Sequence, residues 1–297
     1  MNFIKETKKG PVSSQRFLLR IAVVLMDMFL GWWAAAILLN NFSPQKTKNK
    51  NALTFVGFQS EPMPDTLVVD CSHTNAKQLT HHLKGPNQKK MMDLSLRGDS
   101  STDAVLNSII YESKFTEGLK YVTSNHFDID SFTASWCCCY PDIAPIFEQI
   151  IREISRIGDF RELRLDHEFQ HTALQISCWL NSEERRLFYK PFESKISVAN
   201  GELDGVAKFE YFLPIFEDVL MNHENYKHQW SEEYDRVVSE YAIVNASPIH
   251  IEKSSGLVLV DLIDPTHYYR CVLTSSTANT PELFPYYVSL TMKEKPS

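Results

Sequence analysis

His126, Asp128 and Asp130 stand at alternate positions in Tyr121-Val-Thr-Ser-Asn-His126-Phe-Asp128-Ile-Asp130-Ser-Phe-Thr-Ala-Ser-Trp136. Alternate side chains share a face wherever a chain stays extended. One imidazole and two carboxylates on one side of a strand end suit a hard divalent cation, and an oxygen-rich set favours Mn²⁺ or Mg²⁺ over zinc. Carboxylates two apart can serve one ion each or flank a pair, as in two-metal hydrolases, whose ions lie roughly 3.5–4 Å apart. Asp70 and His73, behind an apolar run, and Asp159, in Ile157-Gly158-Asp159-Phe160, are further candidates. The expected metal ligands are therefore His126, Asp128, Asp130, Asp159 and Asp70. The bland alternative is a loop with a cap, a turn-forming Asp and an exposed His.

A second pattern, His167-Glu168-Phe169-Gln170-His171, matches H-E-x-x-H, a zinc-binding helix motif whose Glu is a general base. Against it, Leu165, Phe169, Thr172, Ile176 and Leu180 form the apolar stripe, and both His lie about opposite. Glu183, Glu184 and Glu202 are undistinguished as a third ligand, so an exposed helix face is the competing reading. Arg97-Gly98-Asp99 reads as a helix-entry turn. His81-His82 and Asn222-His223 read as surface positions. The chain has no P-loop, no GxGxxG and no GxSxG.

The elements that position these groups follow from pattern. Residues 66–70 and 120–124 read as short strands. Residues 100–111 read as a helix capped by Ser100 or Ser101. Ser131 is the expected cap of the next helix, whose first N–H groups would face a bound phosphate; Pro141 stops it. Residues 143–157 form another helix, with Gly158 as its stop. Residues 162–180 form a third, and 211–244 read as two long charged helices. Residues 249–252 and 257–261 read as a β-hairpin. Strands alternating with helices predict an α/β fold, a single domain with a central, largely parallel sheet flanked by helices.

The chain has 297 residues and a net charge of −7. Residues 1–50 carry eight Lys/Arg against two acids, leaving about −13 for the rest, a balance that disfavours nucleic acid as a partner. Residues 1–16 form a basic tail. Residues 17–42 form an N-terminal hydrophobic helix and candidate membrane anchor, a transmembrane span made marginal by Asp27. Residues 43–52 are a polar linker, and 53–297 the α/β domain. Six cysteines, including the run Cys137-Cys138-Cys139, match neither a CxxC knuckle nor a secreted disulfide framework. They read as small buried residues, which favours a reducing compartment for the domain, membrane-anchored or cytoplasmic.

Phe55-Val-Gly-Phe58, Leu67-Val-Val-Asp70, Arg97-Gly-Asp-Ser-Ser-Thr102, Ser124-Asn-His-Phe-Asp-Ile-Asp130, Ile157-Gly-Asp-Phe160 and Asn222-His-Glu-Asn-Tyr-Lys-His-Gln-Trp230 follow one another in that order. In them the chain, over residues 53–265, resembles a bacterial family that carries only a domain-of-unknown-function label, number 6687. That label implies no activity. Separately, strand–His-x-Asp-x-Asp–helix is similar to the first motif of the DHH phosphoesterases, which bind manganese and hydrolyse phosphoesters. On that likeness His126, Asp128 and Asp130 are metal ligands, and Asp159 plays the part of a later aspartate. The nearest approach to an Asp-His-His triplet, Asp166-His167-Glu168, departs at its third position.

The expectation that results is a metal-dependent hydrolase acting on a phosphoester. Two others compete with it: a non-catalytic, membrane-anchored binding or scaffold protein, and a zinc protease using His167, Glu168 and His171.

Overall fold

The computed structural model describes residues 52–61, 64–82, 92–188, 198–252, 257–261, 273–274 and 287–291. All of these lie in one compact unit, Lys50–Ser297. The basic tail, the apolar stretch 17–42 and most of the linker fall outside the described residues. Among the described residues no helix is long and apolar enough to cross a membrane.

A small parallel sheet organises the first half. Its strands are β1 (Thr54–Phe55), β2 (Thr66–Val69), β3 (Lys77–Leu79) and β4 (Tyr121–Thr123), in the order β1-β4-β2-β3. Leu67 pairs with Val122 on one side and Lys77 on the other. Every pair is parallel, so β2, β3 and β4 end at one edge. Only residues 70–76 link β2 to β3, short for a parallel connection, which usually takes a dozen residues or more. The chain turns at Asp70, whose φ of 52° lies in the left-handed region. Asp tolerates that region better than most side chains, because its short polar group bonds locally.

Leu67, Val69 and Val122 face the main core, together with residues of α1 (Ser101–Ile110), α2 (Ile129–Cys139) and α3 (Glu148–Phe160). Val68 points the other way, into a smaller cluster with Cys71, Ala76 and Phe58. The fold is thus mixed α/β around a modest parallel sheet. Beyond it come α4 (Glu168–Phe188), α5 (Val198–Phe212), α6 (Phe216–Asn222) and α7 (Lys227–Ala246). A separate sheet holds the antiparallel pair β5 (Ile249–Glu252) and β6 (Leu257–Asp261), with β7 (Tyr287–Thr291) parallel to β6. The expected hairpin is present.

Several boundaries differ from expectation. Helix α2 starts at Ile129, with Asp128 as its cap rather than Ser131. Asp128 accepts from the Ser131 N–H, and the Ser131 hydroxyl accepts from the Asp128 N–H, a reciprocal capping box. Helix α3 runs through Gly158 to Phe160 and stops at Arg161, which adopts a left-handed φ of 57°. Gly158 is a contact residue instead of a stop. A Cβ there would lie 2.4 Å from the Ile129 Cβ, so its absence lets α3 approach the start of α2. The third helix begins at Glu168, several residues after the expected start.

Cys137 and Cys138 are buried, and burial pushes both thiols upward. They fill core space, as the composition implies. The buried hydroxyls of α2 bond back along the helix, Thr133 to the Ile129 carbonyl at 2.7 Å and Ser135 to that of Ser131 at 2.8 Å. That pairing explains how so polar a helix can sit inside.

Candidate metal centre

Each strand at the common edge delivers chemistry immediately after it ends. Asp70 follows β2, His81 and His82 follow β3 by two and three residues, and His126 follows β4 by three. Ligands in open parallel sheets collect at this carboxyl edge. Asp128 and Asp130 arrive on the cap and first turn of α2, and Asp159 on the last turn of α3. Phe127 seats the intervening turn, stacking on Phe212 with centroids 5.5 Å apart and meeting Phe209 edge-on. His126 and Asp128 are thereby held on either side of an anchored ring.

The side chains converge in two overlapping groups around Asp70, which is only 1% exposed. In one, His126 Nε2 lies 3.2 Å from Asp70 Oδ2 and 3.3 Å from Asp128 Oδ2. In the other, His82 Nε2 lies 3.4 Å, and His81 Nδ1 3.7 Å, from Asp70 Oδ1. His81 extends the second group, with its Nε2 3.3 Å from Asp159 Oδ2. Asp70, His81 and His82, then Asp70, His126 and Asp128, then His81, Asp130 and Asp159, each bring ligand atoms close enough to share one ion. Bonds of about 2.1 Å at right angles put neighbouring ligand atoms about 3 Å apart, close to these separations. Asp159 Oδ2 is buried and makes no hydrogen bond, with the His81 ring nitrogen as its charged neighbour, a position that a cation would satisfy.

The electrostatics are those of a crowded acid–imidazole cluster. Burial pushes Asp70 up to about 7, and the Asp130 and Asp128 charges add to the rise against the pull of His126. Burial likewise raises Asp159 to about 6. His126 is raised to about 10 by its hydrogen bonds to Asp128 and Asp70. For His81, burial works downward but is outweighed by Asp130, Asp159 and Asp70, so it too is raised. His82 is lowered by partial burial and by its two imidazole neighbours. Asp130 sits well below the usual carboxylate range; burial opposes this, and hydrogen bonds from His81, Ser155 and Thr102 overcome it.

Of the five expected ligands, Asp70, His126, Asp128 and Asp159 present carboxylate or imidazole atoms to the cluster. Asp130 reaches it from beneath, because α2 begins before it and helical rotation replaces strand alternation. Its carboxylate receives the N–H groups of Ser101 at 2.8 Å and Thr102 at 2.9 Å, and the Ser155 hydroxyl at 2.6 Å. His73 lies elsewhere: Asn75 N–H donates to its Nδ1, and its Nε2 is 3.1 Å from the Ser60 carbonyl. His81 and His82, read from sequence as surface positions, are central. Their signal was position, a His pair just beyond a short Lys-Gln-Leu strand whose neighbour ends in Asp70.

The HExxH pattern does not assemble. His167 precedes α4, and its backbone N–H is capped by the Gln170 side chain. His171 Nδ1 lies 2.7 Å from the Tyr234 hydroxyl. Among the described residues, neither His belongs to a group able to share an ion.

No curated protein and no solved structure matches the chain. One family model does, over residues 51–287, which include every residue of the cluster. Its description is a family of unknown function (DUF6687), and the chain belongs to that family.

Proposed function

We propose that this protein is a metal-dependent hydrolase acting on a phosphoester, with divalent cations, Mn²⁺ or Mg²⁺, held at the cluster around Asp70. The observation that supports this most is the sharing of Asp70 by two ligand groups at one sheet edge, His126 with Asp128 and His81 with His82. A single buried carboxylate between two sets of donors suits a pair of ions. Both oxygens of Asp70, with those of Asp128 and Asp159, give the cluster a carboxylate share that suits hard cations. Cations bound there would lower the pKa of a water and polarise a phosphoryl oxygen.

The chain's own residues divide the work. Asp70 joins the two groups from below, where water is excluded. Asp128 and His126, 46% and 41% exposed at their side chains, face the opening and leave room for water and substrate on that side. His82, also exposed, is held toward its neutral form by partial burial and its imidazole neighbours, the form in which a ring nitrogen can ligate a cation.

Mn²⁺ titration of the full chain by calorimetry, paired with a generic phosphoester assay, tests this. The wild type is expected to bind Mn²⁺ and to hydrolyse the ester only when loaded. Asp128→Asn and Asp70→Asn are expected to lose roughly a hundredfold or more in affinity and turnover. Asn tolerates the left-handed backbone at position 70, so that variant isolates the charge. If metal content and hydrolysis are the same in both variants as in the wild type, the proposal fails.

A further inference from the structure

The first turn of α1 is closed by the protein itself. Ser101 and Thr102 donate their N–H groups to Asp130, and Asp103 donates to the Ser100 hydroxyl. Ser101 is fully buried and fixed in place. Its hydroxyl lies 2.7 Å from Asp70 Oδ1 and 3.0 Å from His81 Nδ1, and it accepts the His81 backbone N–H at 3.3 Å. One hydroxyl carries one proton. An ionised Asp70 can only accept, so that proton belongs to the Ser101–Asp70 bond. Toward His81 the Ser101 oxygen is then an acceptor, and the imidazole must be the donor. The other atoms around Nδ1 agree: Asp130 Oδ2 at 3.5 Å and Asp70 Oδ1 at 3.7 Å are both acceptors. A lone pair on Nδ1 would face oxygen on every side.

We infer that Ser101, fixed by Asp130, is a positioning residue that holds His81 in its Nδ1–H tautomer and so presents the Nε2 lone pair, beside Asp159, to a cation. This rests on the metal reading above and refines it: His81 meets an ion through Nε2 on the Asp159 side, and Asp70 with His82 is left to hold the ion of the second group. Asp130 supports the centre through α1 rather than from within the coordination shell. Ordinary metal-bound imidazoles are oriented in this way, by a hydrogen bond from the ring nitrogen that does not bind the ion. The inference also assigns a role to Ser101, which touches two ligands and which the sequence offered only as a candidate helix cap.

Two measurements on the full chain test it. Long-range ¹H–¹⁵N NMR of the Mg²⁺-loaded wild type reports which His81 nitrogen carries the proton; Nδ1 is expected. Mn²⁺ titration of Ser101→Ala, with thermal melting to show that it is folded, is expected to give affinity lower by roughly 10–100-fold. A proton on Nε2 of the loaded wild type overturns the inference, and does so even if the variant fails to fold. Unchanged Mn²⁺ affinity in folded Ser101→Ala also overturns it while leaving the metal reading intact. A wild type that binds neither ion overturns both.

Discussion

At the residue scale, the cluster holds more acid than the interior accepts without compensation. Asp70 and Asp159 have carboxyls raised from the ordinary 3.8 to about 7 and about 6. A raised carboxyl favours the folded state while protonated, a contribution present below its unfolded value and lost as pH climbs through the folded one. Between about pH 4 and 7, therefore, these two groups make the metal-free protein progressively less stable. His126, raised from 6.5 to about 10, adds a further loss across that higher interval. Thermal melting in chelator is expected to show a steeper decline with pH for wild type than for Asp70→Asn; parallel curves would refute this. Mn²⁺ affinity should rise with pH over the same range, because each ligand gives up a proton to bind, and calorimetry in buffers of different ionisation enthalpy reads that release.

The acids were legible in sequence at this scale, and most of the imidazoles were not. His-x-Asp-x-Asp carries its own spacing, whereas His81 and His82 follow a strand of three residues, too short for alternation to register. The direction of Asp130 was missed for a related reason. Strand logic turns each residue by half a circle, and helix logic by under a third. The switch falls at Asp128, where Ser131 completes the capping box.

At the element scale, the centre depends on how closely two helices meet. Gly158 on α3 packs against Ile129 on α2, and that contact sets Asp159 opposite His81. Replacing Gly158 with Ala would drive a methyl into the Ile129 side chain, an overpacking that costs about 1–3 kcal/mol. Gly158→Ala is expected to lower the melting temperature and to weaken Mn²⁺ binding together; a variant with normal stability and affinity would show that the approach is not needed. Sequence reading took the same glycine for a helix stop, since glycine commonly ends helices. The stop falls instead at Arg161, where a left-handed non-glycine residue gives no compositional warning. Helix existence, by contrast, was plain for 101–110 from its cap and apolar spacing, and Ser100 with Asp103 forms the box.

Across the whole molecule, the ligands come from the segments just after β2 and β3, the turn after β4, the cap of α2 and the last turn of α3, and these elements pack on one core. A cation there would bridge parts that separate on unfolding. Free Mn²⁺ at a hundredfold excess over its dissociation constant would add about 2.7 kcal/mol to stability. The wild type is expected to melt higher with Mn²⁺ and Asp70→Asn to show no shift; equal shifts would place the ion elsewhere. A mixed α/β class was legible from alternating strands and helices, but the modest width of the sheet was not. Strands of two to four residues leave little pattern, and pairing partners are chosen by packing rather than by local sequence.

The self-closed first turn of α1 has a kinetic consequence. Helix amino ends are the usual seats for phosphate, yet here Asp130 and Ser100 already occupy the three leading amides. A free oxyanion approaching the bare centre meets carboxylates. Addition should therefore follow a compulsory order, metal before anion, with inorganic phosphate unable to compete until the ion has arrived.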